Sequence, residues 1–467
     1  MQFKIQVSLD DEQGEVIAED IIVLDKSSDG EGFIGLSLSE SKQLLKRLQH
    51  VIVTQQANLY TQTHRNCPPC DKKRRIKGAY NIQYRTLFGI VPLPDVRLYH
   101  CQCTETPAKT FSVLNDWLPD HNNPELQYIE TKWASLMSYG LTADLLKDVL
   151  PINDGLNAET VRHHLHKTAK RQDAQLKNQP RFISGCQHEW AALPKPGKPL
   201  TVGIDGGYVR DCKHKKTNFE VIVAKSFSKT EAPKRLGFVQ ALDAQPQRRL
   251  MKMLKDQGMQ ANQQITFLSD GADNVRDLQF LMHPESEHVL DWFHVTMRLT
   301  DLQQFAKGLC QTDPEPGNEL LDNLARIKWF LWHGNTERAL ALLDDCYGLC
   351  DDPELRYDKR RKLLQQLSEM TTYIDNNVHL IPNYGEKWRY GETISTAFVE
   401  STVNEVVAKR MVKKQQMQWS PAGAHYLFQT RTAVLNGELR AHFEGWYPAM
   451  KLGTHGCEST MPLQKAA

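Results

Sequence analysis

"TVGIDGGYVR", residues 201–210, places one carboxylate, Asp205, in a run that otherwise reads as a buried strand and then continues into two glycines. Burying an ionised carboxylate is costly unless a cation or hydrogen-bond donors meet it, so the stretch raises the question of what surrounds Asp205. The chain that follows supplies an answer. "FEVIVAKSF" and "KRLGFVQAL" read as two further strands, "QPQRRLMKMLKDQGM" as a helix, and "QITFLSDGADNVRDLQFL" as strand, turn and helix with Asp270 at the strand end. Far downstream, "STAFVESTVNEVVAKRMVKK" has helical periodicity and carries Glu400 in its early part.

Three successive strands, a helix, a fourth strand and later helices is the order of an RNase H-like fold, in which the first and fourth strands are neighbours. That order predicts Asp205 beside Asp270, with Glu400 brought onto them from a helix. Taken alone, a strand-end aspartate is also a turn or helix-cap residue, a reading that suits Asp273 and extends to Asp270. Three converging carboxylates repel and raise one another's pKa values. Divalent cations remove that conflict: hard oxygen donors suit Mg2+ or Mn2+, and two ions about 4 Å apart activate an attacking oxygen and stabilise a leaving one. Such a site needs no covalent nucleophile. Gly206 and Gly207, lacking a Cβ, leave room for a phosphate backbone to approach.

The 467 residues amount to about three domains at roughly 150 residues each. A composition 40% hydrophobic and 24% charged, with no run of about 18 apolar residues and no secretory pattern in "MQFKIQVSLDDEQGE", predicts a soluble, cytoplasmic chain. A net charge of +1 from 57 basic and 56 acidic residues leaves a nucleic-acid partner to be decided by distribution. Of ten cysteines, Cys67 and Cys70 in "CPPC" and Cys101 and Cys103 in "CQC" have the spacing of four thiolates around one structural Zn2+, although C-x-C departs from the usual second C-x2-C. Reduced, unrelated cysteines are the alternative, with His64 or His100 as substitute ligands. The basic run Lys72, Lys73, Arg74, Arg75 beside such a ribbon suits DNA phosphates; without it, the run is a solvated loop.

The opening residues predict two strands, "FKIQVSL" and "VIAEDIIVL", and a helix opened by a Ser37–Glu40 capping box. Past the ribbon, "PELQYIETKWASLMSYGLTADLLKDVLP" reads as one helical run and "DGLNAETVRHHLHKTAKRQ" as another after a Gly-containing turn, a helix-turn-helix pattern. Its second helix offers Thr160, Arg162, His163, His166 and Lys167 to DNA; an ordinary helical hairpin is the other reading. Residues 310–390 read as an α-helical insertion with Leu320, Leu324, Ile327 and Leu331 on one face. Cys346 and Cys350 there lack a second pair and are not read as a metal site. The expected organisation is an α/β multidomain chain: an α+β segment at 1–57, a zinc-ribbon-like module at 58–125, the helix-turn-helix region at 126–193, an RNase H-like core at 198–309 and 391–450 interrupted by the insertion, and a tail at 451–467.

"GIDGGYVR", "FLSDGADNVRDLQ", "VLDWFHVTMRL" and "FVESTVNEVVAKRMVKKQQMQWSPAGAHYLFQTRTAVLNGEL" resemble, in content and order from residue 201 to about 440, the DDE transposases of bacterial insertion sequences, most closely the ISKra type. The resemblance implies that Asp205, Asp270 and Glu400 are the catalytic, metal-binding acids. It also implies that the N-terminal modules bind the element's terminal inverted repeats, and that metal-dependent cleavage and strand transfer into target DNA are the reaction, performed by a homodimer or larger assembly. Asp291 and His294 in "DWFH" are similar to a D-x-x-H motif of several transposase groups and are expected near the active site, with a helix cap for Asp291 and plain packing for His294 as the alternatives. Lys409, Arg410, Lys413 and Lys414 are candidates for DNA phosphate and Trp419 for base stacking, a solvated face and core packing being the other readings. A nuclease without strand transfer, or a regulatory DNA-binding protein derived from a transposase, would share most of these features.

Overall fold

The computed structural model describes residues 1–10, 16–26, 34–103, 109–152, 155–178, 187–194, 200–214, 217–228, 231–280, 282, 286–395, 401–411 and 419–451. The fold is mixed α/β, and no described helix is long and apolar enough to cross a membrane. The chain divides into two compact units, residues 1–168 with 437–467, and residues 169–436.

In the first unit, β1 (Gln2–Asp10) and β2 (Val16–Asp25) form an antiparallel pair, and the Ser37–Glu40 capping box opens helix Leu38–Thr63 with both reciprocal bonds made. The helix has one face on β2, and its Val53 and Ala57 pack with Ile82, Tyr84, Val91 and Leu93 of a long hairpin, β3 (Ile76–Thr86) and β4 (Gly89–Tyr99). A short β5 (Thr110–Ser112) extends that sheet. The expected boundary at 57/58 therefore falls inside a helix that belongs to both segments. The helical run expected from 124 to 150 is broken: Met137 is extended and Ser138 accepts a hydrogen bond from Leu141 N, which opens a new helix. Three helices result, Pro124–Leu136, Tyr139–Val149 and Ala158–Asn178. Helix Leu439–Trp446, expected with the later core, packs instead on Pro124–Leu136, where Arg440 pairs with Glu125 and Phe443 meets the Tyr128 ring edge.

The second unit is built on five strands: β6 (Leu200–Arg210), β7 (Asn218–Phe227), β8 (Lys234–Val239), β9 (Ile265–Ser269) and β10 (Ser286–Leu290), ordered β10-β9-β6-β7-β8. The first three run antiparallel in sequence, whereas β9 pairs parallel with β6, and β10 parallel with β9. Alternation of side chains across the strands gives two covered faces. Leu200, Val202, Ile204, Ile265 and Phe267 pack with helix Pro246–Asp256 on one. Leu268, Val289 and Leu290 join the core of a helical layer on the other, made by Trp292–Thr312, Pro314–Trp332, Thr336–Cys350 and Arg360–Asn376.

Leu320, Leu324, Ile327 and Leu331 are fully buried in that layer, as their spacing predicts, and so are Cys346 and Cys350, whose thiols burial pushes up to about 12 and about 11. The layer starts earlier than expected, because the boundary at 309/310 lies within helix Trp292–Thr312. At Gly317 a Cβ would fall 2.5 Å from the Cys310 backbone nitrogen. Gly317→Ala should therefore destabilise the chain by about 1–3 kcal/mol, because overpacking against backbone outweighs the roughly 1 kcal/mol that alanine gains in helix propensity. Thermal denaturation checks this; an unchanged or raised midpoint would show that the helices separate at no cost.

Candidate active site and metal centre

The acids of the second unit are positioned by strand register. β6 and β9 pair one for one from Leu200↔Ile265 to Gly203↔Leu268, and β9 and β10 from Ile265↔Ser286 to Ser269↔Leu290. Counted on in the same register, Asp205, Asp270 and Asp291 occupy one row across three adjacent parallel strands, just past the carboxyl ends of β9 and β10 and at the middle of the longer β6. Asp291 N donates to Ser269 O at 2.8 Å and so carries the last rung. Parallel α/β sheets place ligands in the crevice beyond this edge.

The three carboxylates are held differently. Asp205 accepts a hydrogen bond from Gly206 N (2.8 Å) and Asp270 from Ala272 N (3.0 Å). Asp291 is fully buried and caps helix Trp292–Thr312 by accepting from Phe293 N, while its other oxygen lies 3.6 Å from His294 Nε2. The cap and the site are thus one residue. Burial pushes the Asp205 carboxyl above the usual aspartate range; His294 and the Gly206 N–H oppose this, and the charges of Asp270 and Asp291 add to it. Negative charge gathered along one row suits a hard divalent cation, although among the described residues no three of these groups bring their ligand atoms within 4.8 Å of one another.

Glu400 lies outside the described residues, as do Lys413 and Lys414. The helical segment 401–411, with a π-turn at Asn404–Ala408, packs on the sheet face that bears Asp205. Val403 comes within 3.5 Å of where a Cβ on Gly207 would sit, and Val406 within 3.3 Å of that point on Gly237, which is paired through Val223 to Asp205. Gly207 thereby admits a helix rather than a phosphate backbone. Glu405 in this segment is committed to Arg235 (2.8 Å) on β8. Two expectations are corrected: Arg410 is fully buried with its guanidinium 5.1 Å over the ring of Trp419, itself only 4% exposed, so neither is presented to DNA. Lys409 is exposed.

Support behind the row comes from His288, whose Nε2 lies 2.8 Å from the fully buried Ser269 hydroxyl, itself an acceptor for Gly271 N. Burial first, then Arg276 and His379, push the His288 imidazole from 6.5 down to about 4. Because the folded chain resists protonation that the unfolded chain accepts, stability is in place above pH 6.5 and falls as the pH drops towards 4. The share is roughly 3 kcal/mol. Chemical denaturation of wild type and His288→Gln across this range should show a shallower fall in the variant; parallel curves would remove His288 from the account.

In the first unit, Cys67, Cys70, Cys101 and Cys103 bring their sulfurs within 4.8 Å of one another, the only such group of metal-ligating side chains among the described residues. The two pairs lie at the root of the β3–β4 hairpin. Cys70 N and Asp71 N both donate to Cys67 O, and Asp71 takes a positive φ of 53°, which closes the first knuckle. Sulfur separations of 3.4–3.5 Å are those of ligands sharing one ion. The Cys103 backbone N–H, followed by the neighbouring thiols, draws Cys101 down to about 6, while hydrogen bonding with Cys67 and the other thiols pushes Cys103 up to about 12. Four cysteines so placed could hold a metal such as zinc. Lys72, Lys73 and Arg75 beside them are exposed, whereas Arg74 lies over Phe111 and donates to His64 O.

On helix Ala158–Asn178, Arg162, His163 and Lys167 are exposed, and Thr160 and His166 half-buried. Arg162 pairs with Glu159, Lys167 with Asp120, and Thr160 bonds to Asn157. Between His163 and His166 lies His164, which no motif singles out and which pairs with the fully buried Glu130. No periodicity singles out that pair, because each residue stands where an apolar side chain would serve equally.

Compared with models of protein families the chain matches none, and no curated protein matches it. Full-length protein purified from zinc-supplemented cells should carry one zinc per chain by atomic absorption, and Cys67→Ser less. An unchanged content in the variant would remove these four residues as the ligands.

Proposed function

We propose that the chain is a DNA transposase of the DDE type, in keeping with its resemblance to the ISKra insertion sequences. The observation that carries this reading is the row of Asp205, Asp270 and Asp291, in register at the middle of β6 and the carboxyl edge of β9 and β10. A five-stranded sheet whose first strand lies between the second and fourth supports an RNase H-like core. The helical segment after Glu400, lying over the face that bears Asp205, supports Glu400 as the third acid.

In this reading Asp205, Asp270 and Glu400 hold two Mg2+ or Mn2+ ions, and Asp291 adds negative charge beside them. When bound, the ions activate the attacking oxygen and stabilise the leaving oxygen of the phosphodiester. Water is the first nucleophile and the released 3′-hydroxyl the second, so the protein supplies position and charge and forms no covalent bond. His294, with its Nε2 3.6 Å from Asp291, opposes the upward shift that burial gives the Asp205 carboxyl. Lys72, Lys73, Arg75, Arg162, His163 and Lys167 are the exposed residues proposed to meet the terminal repeats, and joining two ends calls for at least a dimer.

The test is strand transfer in Mg2+ or Mn2+, with DNA flanking the gene as donor and a plasmid as target. Asp205→Ala and Glu400→Ala should abolish joining while leaving binding of the flanking DNA intact. Asp291→Asn keeps a good helix cap but removes the charge, and should lower the rate by roughly 10–100-fold. Wild type that cuts without joining would instead indicate a nuclease, and wild type that binds without cutting a regulator.

A further inference from the structure

The loop that leaves Asp270 opens directly into a second feature that the reaction scheme does not use. Gly271 and Ala272 line a cavity of about 720 Å3, within the range of small-ligand sites. Two guanidinium groups reach it, Arg276 and Arg298, together with one carboxylate, Glu369, and the side chains of Tyr373 and Asn377. Arg298 lies 4.2 Å over the Tyr373 ring and has no carboxylate partner among the described residues; Arg276 donates to His379 Nε2 at 3.1 Å.

One buried polar atom here lacks a hydrogen-bond partner, Asn377 Oδ1, and the buried Tyr373 hydroxyl has only the Arg298 guanidinium beside it. The Asn377 amide is fixed in place, since its Nδ2 donates to Tyr373 O at 2.8 Å. Unmet buried groups of this kind are costly and point to a ligand or ordered water. Their chemistry is selective. A phosphodiester supplies acceptors for the guanidiniums and the tyrosine, but nothing for the carbonyl oxygen of Asn377, which needs a donor; a nucleobase edge supplies one. Gly271, at φ +85°, ties this oxygen to the active-site loop, because a Cβ there would lie 2.4 Å from it.

We propose that the cavity holds one nucleotide unit of the substrate strand, its phosphate on Arg298 and Arg276 and its base edge on Asn377 and Tyr373. A nucleotide as occupant follows from the cavity's own chemistry; the strand as its source rests on the transposase reading.

The experiment is calorimetric titration of the full chain, without added divalent ions, using each of the four deoxynucleoside monophosphates, inorganic phosphate, a deoxynucleoside and a short single-stranded oligonucleotide. At least one monophosphate should bind more tightly than phosphate or nucleoside, and the oligonucleotide should displace it. Arg298→Gln should weaken monophosphate binding about tenfold or more. Tyr373→Phe, which keeps the ring and its packing, should weaken it several-fold, so the result does not depend on whether Arg298→Gln folds. Asp205→Ala should leave it unchanged, which separates this site from the catalytic reading: lost strand transfer with intact nucleotide binding counts against one only. No monophosphate binding by wild type, equal binding of inorganic phosphate, or insensitivity to both variants would overturn the nucleotide assignment. Failure of the oligonucleotide to compete would overturn the strand as source.

Discussion

The second unit depends on a single constraint, the one-for-one register of three parallel strands. Neighbouring strands lie about 4.8 Å apart, so residues opposite one another in β6, β9 and β10 are brought together whatever their charge. Sliding one strand by a residue would turn its side chains to the opposite face. Val202, Ile204, Phe267, Leu268 and Leu290 are all at most 1% exposed, and their burial forbids that slip. The apolar faces therefore force together three carboxylates that would otherwise separate. Repulsion is tolerated because each acid has a backbone donor of its own, Gly206, Ala272 or Phe293, and because β9 and β10 end where the row begins.

That constraint also accounts for what was legible in the sequence. Order of elements was enough to put β6 next to β9, and the register of that pair puts Asp205 and Asp270 in one row. Asp291 was legible only as a neighbour. Its dual position, capping a helix and standing in the row, appears once the β9–β10 register is known, and a local motif contains no register. Capping chemistry was readable at Ser37 and Glu40 because both partners are three residues apart. The break at Met137–Ser138 was missed because the apolar period continues across it while a single serine resets the backbone.

Burial of charged and aromatic side chains was the least legible property. Arg410 and Trp419 belong to text rich in lysine and glutamine, where exposure is the ordinary expectation. In the folded chain a guanidinium stacked under an indole is one compact, largely desolvated unit, and Trp419 O accepts from Cys212 N just past the end of β6. What looks like a nucleic-acid surface in one dimension is a clasp in three. Gly207 moved the same way, from a proposed phosphate contact to the site where Val403 comes down on the sheet.

Net charge near zero means that attraction to DNA, in the proposed reading, must come from local clusters, and some cationic side chains in those clusters, Arg74, Arg162 and Lys167, have intramolecular acid partners or a backbone acceptor. Such pairs do not disqualify them. Exposed ion pairs such as Arg162–Glu159 and Lys167–Asp120 are weak, and return less than a charge-assisted bond to phosphate does together with its released counterions. An exposed pair is therefore a cation held in position and easily exchanged. Arg74, stacked on Phe111 with a backbone carbonyl as acceptor for one of its nitrogens, is the basic residue of that run least free to turn outward. By this argument Lys72, Lys73 and Arg75 face solvent beside the cysteine cluster with the least to give up on meeting a phosphate, and the electrostatic part of binding in the first unit concentrates on them.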